Sequence, residues 1–223
     1  KLASREYGDA IAAFEAGLAQ DTQCDELQSR VETLLSSARS GLGALESARA
    51  EARAHASRGE ACMASHDYTG AITAYEAALA LDVSDGSLTS SYRSGSESAR
   101  ASLSAALVAA RAHLADGESA VAGKDWKTGI ECFRAGLSID GMDDGALVSA
   151  LRAALESAEA SKAARDTARK TAEGHIDEGN RKLASREYGD AIAAFEAGLA
   201  QDTQCDELQS RVESLLSSAR SGL

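Results

Sequence analysis

Three histidines occupy equivalent positions along the chain, and histidine is the side chain that most often binds a metal ion. Each lies in the pattern H-x3-G, at His55, His113 and His175. Metal ligands on helices usually come in pairs three or four residues apart, whereas each of these histidines lies in a different copy of a repeated segment. No Cys or carboxylate keeps a fixed spacing to them. We therefore interpret the histidines as packing positions.

Two acidic segments, "DVSDGS" at 82–87 and "DGMDDG" at 140–145, partly match a calcium-binding loop. An EF-hand loop needs oxygen ligands at positions 1, 3 and 5 and a Glu at position 12. Counting from Asp82, position 5 is Gly86 and position 12 is Arg93; counting from Asp140, position 3 is Met142. Both segments fail the pattern, and we interpret them as turns that end one helix and cap the next.

The four cysteines also lack the spacing of a site. They are Cys24, Cys62, Cys132 and Cys205, with no CxxC and no Cys/His cluster, so neither a disulfide framework nor a zinc site is expected. Reduced thiols of this kind indicate the cytoplasm. The sequence contains no G-x-S-x-G, phosphate-binding or dinucleotide-binding glycine motif. We predict a protein that is not an enzyme, with no cofactor, no metal and no small-molecule substrate.

Composition predicts an all-α fold. The chain of 223 residues has no Pro, and Ala supplies much of its 44% hydrophobic content while aromatic residues supply 4%. Such a chain favours uninterrupted helices that approach closely through small side chains. The net charge of −12 opposes binding to nucleic acid, and no apolar run is long enough to span a membrane.

The chain is built from internal repeats. The phrase "HDYTGAITAYEAALALD" recurs in related form, and its aromatic residue falls at Tyr7, Tyr68, Trp126 and Tyr188. Segments 1–42 and 182–223, aligned end to end, differ only at Thr33 and Ser214. We predict four modules, the first represented by its C-terminal part, at 1–48, 49–108, 109–170 and 171–223. We call segment 1–181 a block; repetition this close indicates a piece of a longer tandem array of blocks.

Each module is expected to contain a helical hairpin and a long third helix. In the second module, the pattern predicts helices over Ala50–Ser65 and Thr69–Leu81 and a third from Leu88. Near-heptad spacing from Leu27 onward predicts one helix of about 40 residues over Glu26–Ser65, with 40–43 ("SGLG") as the place for a bend. Without a bend the modules form an elongated rod; with a reversal they stack as a solenoid. We favour the rod.

The hairpin resembles the tetratricopeptide repeat over about 34 residues of each module. Two features support the resemblance. A glycine lies nine residues before the repeated aromatic residue, at Gly59, Gly117 and Gly179. The second helix then contains Ala71-x3-Tyr75, Gly129-x3-Phe133 or Ala191-x3-Phe195. The family's terminal Pro is absent, and its early Trp is replaced by the three histidines. The modules are longer than the family's repeat and leave room for a third helix, which is also similar to the microtubule-interacting-and-transport domain. The two resemblances remain alternatives.

The resemblance implies a peptide-binding face on the first helix of each hairpin. Mapped by register, its candidate residues are Arg53, Glu60, Met63, Arg111, Glu118, Val121, Asn180 and Leu183. The third helix could equally cover this face. The first hypothesis is a structural or scaffolding segment associated with protein partners, with the cytoskeleton or with another large assembly. The alternative is a tetratricopeptide-like adaptor that recognises helical or extended segments of partner proteins.

Overall fold

The computed structural model describes residues 2–20, 25–201 and 206–222, with side chains described from Glu6 onward. Within these ranges the chain forms eight α-helices and no strand, which confirms the all-α prediction. The helices are α1 Leu2–Leu18, α2 Asp25–Ala64, α3 Tyr68–Ala80, α4 Gly86–Ala122, α5 Trp126–Leu137, α6 Gly145–Ala184, α7 Tyr188–Leu199 and α8 Asp206–Arg220. None of these described helices is long and apolar enough to cross a membrane.

From α1 to α7, helices of 12 to 17 residues alternate with long ones, and the long helices α2, α4 and α6 contain 40, 37 and 40 residues. The predicted continuous helix over Glu26–Ser65 is confirmed as α2, Asp25–Ala64. This helix is not interrupted at Gly41 or Gly43, where the sequence favoured a bend. The third helix of one predicted module therefore continues directly into the first helix of the next.

The same turn follows each long helix. In the first example, His66 has a positive φ of 59°; its amide donates to the carbonyl of Met63, and the amide of Asp67 donates to that of Cys62. These two bonds define a Schellman motif, which satisfies the last carbonyls of the helix. Lys124 and Arg186 have the same positive φ and equivalent bonds. The chain thus turns in the same way after α2, α4 and α6.

An acidic residue then starts the short helix. The carboxylate of Asp67 accepts a hydrogen bond from the amide of Gly70 at 2.9 Å, and that of Asp125 accepts from the amide of Thr128 at 3.1 Å. Hydrogen bonds from Thr128 also lower the pKa of Asp125. These are N-caps, which satisfy exposed donors at a helix start. In α7, Glu187 holds the equivalent position without a side-chain capping bond, and its carboxylate instead accepts a hydrogen bond from Lys182 at 2.6 Å.

The helices divide into two units, 1–110 with 139–145 and 111–138 with 146–223. The core cluster of the first unit is formed by Ala52, Ala56, Ala71, Tyr75, Ala78, Val83, Tyr92 and Ala99. The buried Arg49 of α2 donates to the carbonyls of Val83 and Ser84 at 2.8 and 3.3 Å, which fastens the α3–α4 turn. A core cluster of the second unit is formed by Ala172, Ile176, Ala191, Phe195, Leu208, Val212, Leu216 and Ala219.

Aromatic rings of the short helices lie directly against glycines of the long ones. In the first unit, a Cβ on Gly59 of α2 would lie 3.0 Å from the ring of Tyr75, and one on Gly95 of α4 would lie 2.6 Å from it. The Tyr75 ring is therefore held between two long helices. Burial raises the pKa of Tyr75, with a smaller contribution from the carboxylate of Glu60.

The second unit repeats this contact. A Cβ on Gly117 would overlap the ring of Phe133, and one on Gly179 would overlap that of Phe195. Only glycine therefore admits these rings without displacement in a closely packed interior. In the first unit Gly41 has a similar role, because its Cβ would lie 2.7 Å from the ring of Tyr7. The glycine that the sequence suggested as a bend is a place where a ring packs.

We predict opposite effects for two glycine substitutions in α6. Gly179→Ala should lower the free energy of unfolding, because overpacking against Phe195 costs about 1–3 kcal/mol and outweighs the gain in helix propensity. Gly174→Ala should raise it by up to about 1 kcal/mol, because nothing lies within 4 Å of its Cβ position. Urea unfolding followed by helical circular dichroism measures both. Equal stabilisation by the two substitutions would contradict the close contact.

Candidate functional site

The structure separates the candidate peptide-binding face into exposed and half-buried parts. Its exposed members are Arg53, Glu60, Arg111 and Glu118, and its half-buried members are Met63, Val121, Asn180 and Leu183. Met63 and Leu183 pack against the core clusters of their own units. A Cβ on Gly129 of α5 would lie 2.5 Å from Cγ2 of Val121. The three apolar members thus contact the hairpin to which they belong.

The equivalent histidines are half-buried next to small residues of the following short helix. The Cβ of His113 lies 3.2 Å from the Cβ position of Gly136, and that of His175 lies 3.4 Å from that of Gly198. Both contacts agree with a packing position. Within the described ranges, no three His, Cys, Asp or Glu side chains come together in a way that could hold a metal ion. Cys62 and Cys132 are unpaired thiols, and Cys24 and Cys205 lie outside the described residues.

The long helices α2 and α6 each pack against two short helices, one along each half. The part of α2 near Gly41 contacts Tyr7 of α1, and its part near Gly59 contacts Tyr75 of α3. In the second unit, α6 contacts α5 where Leu151 meets Gly136, and it contacts α7 where Gly179 meets Phe195. Displacing either long helix at one of these contacts would therefore affect packing at the other.

A salt bridge joins each of α1, α3, α5 and α7 to the helix that follows it, and these pairs were not predicted from the sequence. The pairs are Glu15–Arg39, Glu76–Arg100, Arg134–Glu159 and Glu196–Arg220, with N–O distances of 2.5 to 3.0 Å. Three pairs place the carboxylate on the short helix, whereas Arg134–Glu159 reverses both charges. The signal was present in the sequence as a Glu or Arg eight residues after each repeated aromatic.

The reversed pair restricts which helices can associate. The side chains of these pairs are 44–64% exposed, so each pair contributes only about 0.2–1 kcal/mol. If α5 packed against the long helix of another module, however, Arg134 would face an Arg. Like charges in contact are unfavourable, and misassembly is a typical failure of proteins with similar repeats. The reversal therefore favours the correct α5–α6 pairing.

A groove between α5 and α6 is lined by five basic and four acidic side chains. It consists of two adjoining hollows of about 320 and 340 Å³ that share Lys127, Lys162 and Asp166. The first is completed by Ile130, Glu131, Arg134, Glu159 and Ala163, and the second by Gly123, Lys124, Asp125, Trp126 and Arg165. Three of the six lysines of the chain line this groove, although the protein as a whole is strongly acidic.

No protein-family model matches the chain, and neither a curated protein nor a solved structure matches it. The resemblance to tetratricopeptide repeats therefore depends on the residues quoted above. In the three hairpins quoted for it, Gly59, Gly117 and Gly179 contact the aromatic ring of the following short helix.

A charge-swap experiment should reveal the pairing preference of α5 and α6. Arg134→Glu, which puts two carboxylates in contact, and Glu159→Arg, which puts two cations in contact, should each lower the free energy of unfolding by about 0.5 kcal/mol or more. The double substitution restores an opposite pair and should recover most of the loss. Urea unfolding at low and high salt provides the measurement. Losses that simply add in the double variant would show that the pair has no coupling.

Proposed function

We propose that this chain is a non-enzymatic structural segment of a longer tandem-repeat protein and that it acts as a spacer or scaffold. The observation that carries the proposal is the long helix shared by two hairpins, as in α2 and α6. Modules that share an uninterrupted helix cannot rotate independently at a flexible linker, so their spacing is maintained by packing. A repeated unit of this kind suits a protein that sets distances within an assembly.

Aromatic–glycine contacts support the same role. Tyr75 packs against Gly59 of α2 and Gly95 of α4, so a single ring of a short helix fixes two successive long helices. Because a chain with few aromatic residues places them at these contacts, their main role is cohesion between helices. We propose tetratricopeptide-like modules with an additional helix, arranged as an elongated rod.

The proposed setting is the cytoplasm, in association with the cytoskeleton or another large protein assembly. Near-identity of segments 1–42 and 182–223 supports many copies of the block in sequence, which would give a periodic structure. The adaptor alternative has less support, because Met63 and Leu183 are in contact with the cores of their own units. A peptide could then use only the exposed, charged part of that face.

Small-angle X-ray scattering on chains of one, two and three blocks tests the spacer proposal. We expect the maximum dimension to grow by a constant increment per block, since each block adds the same shared helices. For the chain described here, we expect a radius of gyration well above the roughly 17 Å of a compact chain of this length. Compact values, with dimensions that level off as blocks are added, would contradict the proposal. Helical circular dichroism serves as the control for folding.

A further inference from the structure

We propose that the groove between α5 and α6 is a binding site for an acidic peptide segment of a partner protein. The groove is lined on one side by Lys124 and Lys127, which flank the start of α5, and on the other by Lys162 and Arg165 of α6. Only two carboxylates, Asp125 and Asp166, line the same hollow. With four basic side chains and two carboxylates, this hollow has a formal charge of +2. Arg134, Glu131 and Glu159 of the adjoining hollow bring the whole groove to +1, in a chain whose net charge is −12.

The carboxylates of this hollow are already engaged. Asp125 accepts the N-cap hydrogen bond from Thr128 at 3.1 Å, and Asp166 lies 3.7 Å from the ammonium of Lys162. The ion pair of Lys127 with Glu131 is 4.0 Å long, and the Lys127 side chain is 82% exposed. The lysines thus retain hydrogen-bonding capacity, because an ammonium group has three donors.

Two donors within the groove lack partners. Neither Nε1 of Trp126 nor Nε of Arg165 has a hydrogen-bond acceptor among the described residues, although both atoms are buried. Buried donors are normally paired, and both groups can donate to a carboxylate. Because both atoms are covered by neighbouring side chains, an acidic ligand would pair with them only after those side chains shift, and the exposed cations of the groove carry the proposal.

The shape of the groove favours a peptide over a single small anion. Its two hollows extend along α6 from Glu159 to Asp166, which corresponds to about 10 Å of helix. Ile130, which is buried, and Trp126 provide an apolar wall beside the cations. Three to four residues of extended peptide cover this distance, with carboxylates near the lysines and the chain against the apolar wall.

This combination of residues occurs in one module only. The positions equivalent to Lys127 are Gly8, Thr69 and Gly189 in the other copies of the repeated phrase. In a tandem array the site would therefore recur once per block, and an acidic partner with several segments could bind at regular intervals. Multivalent binding of this kind strengthens weak individual contacts.

Trp126 is the only tryptophan of the chain, so its fluorescence reports on the groove directly. The whole chain is titrated with tetraglutamate, tetraglutamine and inorganic phosphate at low salt. We expect a saturable change in Trp126 emission with tetraglutamate alone, which weakens as salt is raised. In a Lys127→Gln/Lys162→Gln variant the apparent affinity should fall about fivefold or more, since two of the five cations that line the groove are removed.

Lys170→Gln is the control for loss of a lysine outside the groove, because Lys170 is an exposed residue of α6 that does not line it. This variant should bind tetraglutamate with the affinity of the parent chain, and circular dichroism should show the same helix content for all three proteins. Absence of a saturable change would overturn the proposal. So would equal responses to tetraglutamine, binding of phosphate in place of the peptide, or equal losses in the groove variant and the control.

Discussion

Close approach of helices through glycine and alanine is the constraint on which the rest of this structure depends. A chain with few aromatic residues has little apolar area per side chain, so cohesion requires short distances between backbones. Gly59, Gly117 and Gly179 provide these distances by admitting an aromatic ring from the next short helix. Fully buried alanines such as Ala52, Ala71 and Ala172 surround these contacts and allow the same approach along the helices.

The long helices α2 and α6 run without interruption, and this continuity links the packing of neighbouring hairpins. A helix that ended between modules would leave each hairpin to bury its own apolar face, whereas α2 and α6 each pack against two hairpins. Regular caps place α3, α5 and α7 at the same point of the repeat, because Schellman motifs end the long helices before them at His66, Lys124 and Arg186. The reversed pair Arg134–Glu159 then distinguishes one pairing from its near-identical neighbours. The glycine–aromatic contacts thus provide stability, the caps set the positions of the short helices, and the reversed salt bridge provides specificity of pairing.

Much of this fold was predictable from the sequence, because its signals are local and repeated. Absence of Pro and the near-heptad spacing predicted the all-α class and the continuous helix over α2. Contacts between elements were not predictable from one chain: Gly41 looked like a bend because a glycine in a helix usually weakens it, whereas its contact with Tyr7 is visible only in three dimensions. Similarly, Lys127 and Lys162 are distant in the sequence, and only the packing of α5 against α6 brings them to one groove.

Amide hydrogen exchange in a Gly179→Val variant tests most directly whether a shared helix couples two hairpins. Gly179 lies at the α7 end of α6, far from the segment around Leu151 that packs against α5. Because both contacts depend on one uninterrupted helix, we expect the substitution to lower protection at 147–158 as well as at 172–199. Loss of protection confined to 172–199, with 147–158 exchanging as in the parent chain, would contradict the coupling on which the proposed spacer depends.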